Sequence, residues 1–439
     1  MLFFNDDENK IILGKKYGKS IVDKSKDNIL LITSNVYETI SNPILESVFS
    51  TWKDNIIVLD YEEKILNKTS NLRENVGKVL KFDCKNLFFD PFNFIKEESY
   101  YVSEIEKLKL YKEILEEMYE VVRKNLMSEN FSIIYKKYVI DLLEGIIFYM
   151  LEEFKEVNIS NLNDFISFKE KPLEERINDI LNKSLNPIIT KPIVNFFNLN
   201  PYTRDDILII INILISTFDI KYKNKDISSE LLEIFTYNKF SLYISFSSEM
   251  DNYSKAKTIF LLNQILKNKD EIKKDTLFIL SDFNIFSEIG ELRKIIQYSQ
   301  ENFSKLKLFL VSDINNLFKF ENSINFFFNN IKKILFYKIR IENFKNISTE
   351  KDLKKYLKYK NKNKILYFNN SKLINIQEGT PLEFKINERQ LRISINLFLL
   401  FISILIVVIT MFNSVENKNE SLTEEEKILP IIEIRKEIK

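Results

Sequence analysis

The chain has 439 residues, of which 45% are apolar and 13% aromatic, so it can fold around a large core. Its 64 lysines and arginines nearly balance 63 aspartates and glutamates, so no overall charge favours nucleic acid over protein partners. The sequence contains no histidine, which excludes imidazole bases, histidine metal ligands and histidine-based catalytic triads. Its single cysteine, Cys84, has no accompanying base motif and is interpreted as a small core residue.

The residues before Ile393 are called the body below. Predicted strands and helices alternate at both ends of this body. Short apolar runs bounded by turn residues predict strands, and the helix-length segments between them are typical of parallel βαβ units. From about Ser103 to Ile234, apolar residues recur at three- and four-residue spacing, which predicts a block of helices. Strands are predicted at Asn28–Thr33, Asn55–Asp60, Phe240–Ser245, Thr276–Leu280, Leu306–Val311 and Ile334–Lys338. We therefore expect an α/β domain with a mostly parallel sheet, interrupted by an all-helical insertion.

A run of twenty residues without a charge, Ile393–Phe412, follows the body. A helix of this length spans about 30 Å, the thickness of the hydrocarbon core of a bilayer. No apolar segment of this kind stands at the N-terminus, so no signal peptide is predicted. Lys385, Arg389 and Arg392 precede the run, whereas glutamates dominate the residues after it. The sequence therefore predicts a single-pass protein of the inner (cytoplasmic) membrane, with its body in the cytoplasm and the tail 413–439 outside.

Several weak motifs stand in an order that is typical of one protein family. VLDYEE at Val58–Glu63 resembles a strand of that family that is followed by a turn with the residues aspartate, lysine, glycine and glutamate. Arg73, GKVLKFD at Gly77–Asp83 and DPFNFI at Asp90–Ile95 come at the places where the family has its next motifs. Over residues 10–345 the chain resembles the TraG/TraD-type coupling proteins of type IV secretion and conjugation, which are membrane-bound hexameric P-loop ATPases that pump DNA. The resemblance implies a RecA-like nucleotide-binding fold with an inserted all-α domain.

The phosphate-binding loop of that family is degenerate in this sequence. A working loop has the pattern G-x-x-x-x-G-K-S/T, because glycine amides wrap the phosphates and the lysine reaches the β and γ oxygens. Alignment with the family places Ser34, Thr39, Ile40 and Ser41 on the four key positions, so the glycines and the lysine are absent. We expect no bound cofactor, and ATP with Mg²⁺ would bind only weakly.

The remaining catalytic positions are also altered. The family's metal-orienting Walker B aspartate aligns with Ser281, its catalytic glutamate with Asp282, and its sensor glutamine with Ser312. Asp282 is either a residual ligand of magnesium or water, or a solvated loop or helix-cap aspartate. Asp60 is interpreted as a structural residue of its turn. No catalytic residue and no metal site is therefore expected.

Nine lysines against two acidic residues form a local basic run, Lys345–Lys372, with aromatic residues between them. This run could contact DNA phosphates or the anionic leaflet of a membrane, or it could be a solvated surface.

The sequence as a whole divides into segments, each with an expected role. These are a first part of the nucleotide-binding-like domain (1–100), a helical insertion (101–235), a second part (236–345), a juxtamembrane segment (346–392), a transmembrane helix (393–412) and a tail (413–439). The resemblance implies a membrane-anchored, non-catalytic assembly partner that forms homo- or hetero-oligomers with coupling-protein or secretion components. The alternatives are an active DNA-translocating ATPase with an atypical loop and an unrelated membrane-tethered interaction protein.

Overall fold

The computed structural model of this chain describes the body in a series of ranges. They are residues 9–16, 19–33, 43–86, 88–95, 104–127, 129–154, 157–167, 170–219, 230, 234, 239–247, 249–268, 272–281, 289–300, 305–313, 327, 330–337, 364–369 and 372–377. The predicted transmembrane run Ile393–Phe412 lies outside them. Among the residues within these ranges, no helix is long and apolar enough to cross a membrane.

Eleven strands of the described residues form one sheet. They are β1 (Ile11–Lys16), β2 (Lys19–Asp23), β3 (Ile29–Thr33), β4 (Asn55–Tyr61), β5 (Lys78–Asp83), β6 (Phe240–Phe246), β7 (Thr276–Leu280), β8 (Leu306–Asp313), β9 (Lys333–Tyr337), β10 (Lys364–Asn369) and β11 (Lys372–Gln377). Their order is β2-β1-β11-β10-β9-β3-β8-β7-β4-β6-β5. The seven strands from β9 to β5 are parallel. The other four extend the sheet with antiparallel pairings.

Ten α-helices accompany this sheet within the described ranges. They are α1 (Pro43–Thr51), α2 (Lys64–Glu74), α3 (Glu104–Leu126), α4 (Glu129–Phe154), α5 (Ile159–Ser167), α6 (Leu173–Lys183), α7 (Pro187–Phe197), α8 (Pro201–Phe218), α9 (Asn252–Lys267) and α10 (Ile289–Gln300). The six helices α3–α8 lie between β5 and β6 in the chain and are called the helical insertion below.

The parallel strands are covered on both faces, which explains their near-continuous apolar sequences. Every residue of β3, β6 and β7 is buried. Because successive side chains of a strand point to opposite faces, β3 and β4 contribute to two cores. Leu30 and Leu59 belong to the core that includes the helical insertion and α9. Ile29 and Val58 belong to the second core, with α1 and α2.

The helices of the insertion pack closely, so one of them, α4, has little exposed surface. Between Val139 and Met150, α4 is largely buried, and Gly145 lies where a Cβ atom would be 3.2 Å from the Ile189 carbonyl oxygen of α7. Asp90 joins the insertion to the sheet: its carboxylate accepts hydrogen bonds from Phe92 N, 2.9 Å away, and from Ile159 N, 3.0 Å away, at the start of α5.

The expectation of a mostly parallel α/β sheet is confirmed, and all six predicted strands belong to it. The structure adds β1, β2, β5, β10 and β11, which the apolar pattern did not indicate. Lysines, asparagines and other polar residues interrupt these strands, so they lack the continuous apolar run of a buried parallel strand. The last two lie in the segment 346–392, for which the sequence indicated only a juxtamembrane role. Cys84 is fully buried, in agreement with its interpretation as a core residue.

Candidate functional site

The carboxyl ends of four parallel strands meet at one edge of the sheet. β3 neighbours β8, β8 neighbours β7, and β7 neighbours β4. In register, Thr33 at the end of β3 lies beside Asp313 of β8, and Leu280 at the end of β7 lies beside Leu59 of β4. Ligands of open α/β sheets bind at this edge. The segments that align with the phosphate loop, the sensor and Walker B therefore begin at adjoining strand ends.

Two of the seven aligned site positions fall within the described residues. Ser281 follows β7, and Ser312 lies fully buried in β8, in register with Ile32 of β3. The remaining positions lie outside the described residues: Ser34, Thr39, Ile40, Ser41 and Asp282. Within the described ranges, no three or more cysteine or acidic side chains are grouped so that they could hold a metal ion.

Ser281, which the resemblance aligns with the family's metal-orienting carboxylate, forms hydrogen bonds with the backbone of β4. The side chain is 1% exposed, and its hydroxyl donates a hydrogen bond to the Leu59 carbonyl oxygen at 2.6 Å. The same hydroxyl accepts from Tyr61 N at 3.3 Å, and Ser281 N donates to the Leu59 oxygen at 3.2 Å. Ser281 therefore extends the pairing of β7 with β4, and its hydroxyl serves the sheet as donor and acceptor.

Asp60, near the end of β4, is a fully buried carboxylate that caps α2. One oxygen accepts a hydrogen bond from Ile65 N at 3.0 Å, and the other accepts from Leu66 N at 2.7 Å. These amides belong to the first turn of the helix and have no partner within it. Burial raises the pKa of Asp60 to about 6, although the two hydrogen bonds act to lower it. The contacts support the interpretation of Asp60 as a structural residue of its turn.

The turn between β4 and α2 is held in an uncommon conformation. Glu62 and Glu63 have φ angles of 55° and 57°, in the left-handed region that side chains other than glycine rarely adopt. The coupling proteins that this stretch resembles have a glycine in the corresponding turn. Lys64 pairs with Glu62 at 2.7 Å, and its ammonium lies 5.1 Å from the centre of the Tyr61 ring. Two consecutive strained residues therefore shape this edge of the site.

Arg73 connects the loop before β4 to β6 through hydrogen bonds. It is fully buried, donates to Ser241 Oγ at 2.8 Å, and also donates to the carbonyl oxygens of Trp52 and Asp54. Burial lowers the pKa of Arg73 to about 10, so the guanidinium is still charged at neutral pH. The sequence identified Arg73 only as part of a motif, because its partners lie in the loop before β4 and in β6, far from it along the chain.

Seven neighbouring parallel strands, covered by apolar cores on both faces, define an open α/β fold. Neither a protein-family model nor a curated protein matches the sequence. Among solved structures, the chain is similar to VirB4 of Thermoanaerobacter pseudethanolicus, with a TM-score of 0.52 and 12% identity over 86% of this chain and 99% of VirB4. It is also similar to the plasmid coupling protein TrwB in complex with ADP and Mg²⁺, with a TM-score of 0.50 and 12% identity over 80% of this chain and 85% of TrwB. The chain therefore has a fold like that of the type IV coupling proteins.

Proposed function

We propose that this chain is a catalytically inactive, membrane-anchored homologue of the type IV coupling proteins. It acts as a structural or assembly partner in conjugative DNA transfer or type IV secretion. The observation that carries the proposal is the contact of Ser281 with Leu59 and Tyr61, because a hydroxyl held by the sheet takes the place of the carboxylate that orients magnesium. The similarity of the fold to VirB4 and TrwB supports the choice of family.

The proposed loss of activity follows from charge. With Ile40 in the place of the lysine, the phosphates of a nucleotide would meet an apolar side chain where they need a positive one. Removing a single group that stabilises transition-state charge typically lowers the rate by a factor of about 100 to 1000. The sheet does not need a nucleotide for its stability, since apolar packing on both faces holds it together. The fold can therefore remain stable after its catalytic groups have been lost.

We expect the purified full-length chain to hydrolyse magnesium ATP no faster than a Ser41→Ala, Asp282→Ala double variant. We also expect millimolar magnesium ATP to leave its melting temperature unchanged. A ligand present at 100 times its dissociation constant would stabilise the native state by about 2.7 kcal/mol, which a thermal melt detects. Turnover that these two substitutions abolish would contradict the proposal and favour the alternative, an active translocating ATPase with an atypical loop.

The proposed anchor is the uncharged run Ile393–Phe412, with the body on the cytoplasmic side. Full-length protein should sediment with membranes and require detergent for release, whereas a chain that ends before Arg392 should remain in the supernatant. External protease should spare the body in intact cells. A full-length chain that is soluble without detergent, or a body that external protease digests while the tail survives, would contradict this topology.

The proposed partners are other copies of this chain or components of the secretion apparatus, in line with the oligomeric assemblies in which coupling proteins act. Melting the full-length chain with and without an intact coupling protein tests the second possibility, because a partner that binds the native state raises the melting temperature. DNA contact through Lys345–Lys372 stays a prediction.

A further inference from the structure

The amino ends of four neighbouring parallel strands, β9, β3, β8 and β7, form a basic edge of the sheet. The described residues at these strand starts, 23–28, 272–275, 305–307 and 330–333, contain eight lysines and three aspartates. This edge is opposite the carboxyl ends of the strands, so its charge takes no part in the candidate site described above. A surface with an excess of positive charge is complementary to an acidic partner.

Four of these lysines lie close together around one carboxylate. The ammonium of Lys26 is 3.6 Å from the carboxylate of Asp275, and its side chain is 68% exposed. Lys305 donates a long hydrogen bond of 3.4 Å to the Lys273 carbonyl oxygen, and both of these side chains are exposed. Lys274, beside Asp275 in the chain, is half-buried. These four residues are called the lysine cluster below: Lys26, Lys273, Lys274 and Lys305.

The described part of the chain begins at the same edge, at Asn9. The Asn9 side-chain oxygen accepts hydrogen bonds from Lys53 N at 2.9 Å and Asp54 N at 3.2 Å, and its amide donates to the Asp54 carboxylate at 2.7 Å. The next residue, Asn55, donates from its backbone to the Asp275 carbonyl oxygen at 3.1 Å. Neighbouring strands are about 5 Å apart, so Asn9 is fixed near the lysine cluster.

The register of the first two strands brings the residue before Asn9 toward Lys26. In the antiparallel pair of β1 and β2, Ile11 lies opposite Asp23. Glu8 is three residues before Ile11, and Lys26 is three residues after Asp23, so the two chains carry these opposite charges to the same level. Opposite charges that face each other across two strands typically stabilise by about 0.2–1 kcal/mol.

The segment before Asn9 has the charge that the lysine cluster lacks. Residues 1–8, with the sequence MLFFNDDE, contain three acidic residues and no basic one, and they lie outside the described residues. Three residues extend over at most about 10 Å, or two strand spacings, so Asp6 can reach across β7 to β8 from Asn9. We infer that the acidic segment Asp6–Glu8 docks on the lysine cluster of the same chain. The contact depends on neither the proposed loss of activity nor the proposed anchor.

The short tether favours the same chain over a second copy. A segment that is joined to its site by a few residues has an effective concentration in the millimolar range, which a second copy reaches only at a similar protein concentration. The contact joins exposed charges, so it depends on ionic strength: the Debye length falls from about 10 Å at 0.1 M salt to about 3 Å at 1 M. Salt should therefore release the segment.

Zero-length cross-linking of the full-length chain tests the contact without any substitution. A carbodiimide joins a carboxylate to an ammonium group that touches it, so we expect isopeptide bonds from Asp6–Glu8 to Lys26 and Lys305. Lys191, an exposed lysine of α7, is the matched control and should give at least tenfold fewer such bonds. A mixture of isotopically heavy and light chains separates bonds within a chain from bonds between chains. Equal yields at Lys191, or bonds that mainly join heavy to light chains, would overturn the inference.

Neutral substitutions in the segment provide a second readout. The variant Asp6→Asn, Asp7→Asn, Glu8→Gln keeps the size of the side chains but removes their charge. We expect a small acylating reagent to modify Lys26 at least threefold faster in this full-length variant, relative to Lys191. Wild type in 1 M salt should show the same relative increase. A modification rate of Lys26 that neither change alters would contradict docking.

Reversal of charge in the lysine cluster completes the test. An endoproteinase that cuts next to acidic residues should remove the segment at least fivefold faster from a Lys26→Glu, Lys305→Glu variant than from wild type. Lys191→Glu should leave this rate unchanged. Circular dichroism melts of the variants should match that of the parent, since the substituted side chains are exposed. Equal cleavage of wild type and the double variant would show that the cluster does not hold the segment.

Discussion

Replacement of Asp23 by alanine is expected to lower the free energy of unfolding by about 3–5 kcal/mol, the usual effect of leaving buried charges without their partner. The Asp23 carboxylate bonds the ammonium groups of Lys307 at 2.8 Å and Lys333 at 2.6 Å. All three side chains are at most 7% exposed. Ser25 also accepts hydrogen bonds from both lysines, but it carries no charge that could compensate theirs. The variant would therefore leave two buried cations, of which Lys333 keeps an ion pair of 3.4 Å with Asp27.

The destabilisation caused by Asp23→Ala is expected to decrease as the pH falls. Burial opposes the charge on Asp23, but Lys307 and the hydrogen bonds from both lysines outweigh it and lower the pKa of Asp23 below 3.8. A lowered pKa in the folded state stabilises the protein above the pKa of the unfolded chain, and this stabilisation is lost as the pH falls through the folded value. The difference in free energy of unfolding between wild type and Asp23→Ala, measured by denaturant titration, should therefore reach its full value at pH 7 and disappear in strong acid.

Two further variants check the explanation by buried charge. Lys26→Ala removes an exposed ion pair of 3.6 Å with Asp275 and should change stability by less than about 1 kcal/mol. A triple variant, Asp23→Leu with Lys307→Met and Lys333→Met, should recover most of the loss, because apolar residues of similar volume can replace a buried ionic cluster. A single Asp23→Ala variant as stable as Lys26→Ala would show that water or Asp27 already satisfies the lysines.

Gly77→Ala should destabilise the chain by about 3 kcal/mol, at the upper end of the effect of overpacking. A Cβ atom at Gly77 would lie 2.6 Å from the carbonyl carbon of Lys239 and closer still to its oxygen. The same oxygen accepts the hydrogen bond from Lys78 N that begins the pairing of β5 with β6. Relief of the clash must therefore separate the start of β5 from β6. Denaturant titration measures the loss, and wild-type stability in this variant would contradict the close approach.

The same substitution at a second glycine provides the matched control. A Cβ atom at Gly145 would lie 3.2 Å from Ile189 O, so the neighbour must yield only slightly, and alanine adds helix propensity worth up to about 1 kcal/mol. Gly145→Ala should therefore be close to neutral. The opposite change at the strained turn, Glu63→Gly, should stabilise by about 1 kcal/mol, because glycine adopts a φ of 57° without the steric penalty.

The amino-acid sequence alone determined the class of the fold and the central strands. β3, β4 and β6–β9 are apolar runs, because strands of a parallel sheet bury both faces and lose the alternation that marks exposed strands. The helices of the insertion were predictable from the spacing of their apolar residues, which depends on neighbours three or four positions apart. The resemblance also aligned the Walker B aspartate with Ser281, at the end of one such run, and this assignment stays a prediction.

Only the tertiary structure decided what the altered residues contact. The partners of the Ser281 hydroxyl, Leu59 and Tyr61, lie more than 200 positions away in the chain, and their meeting depends on the register of β7 with β4. The ionic cluster around Asp23 and the place of β10 and β11 in the sheet depend in the same way on pairing between distant segments. Periodicity reports which side of an element is buried, whereas a contact between elements follows from their packing, which local sequence does not encode.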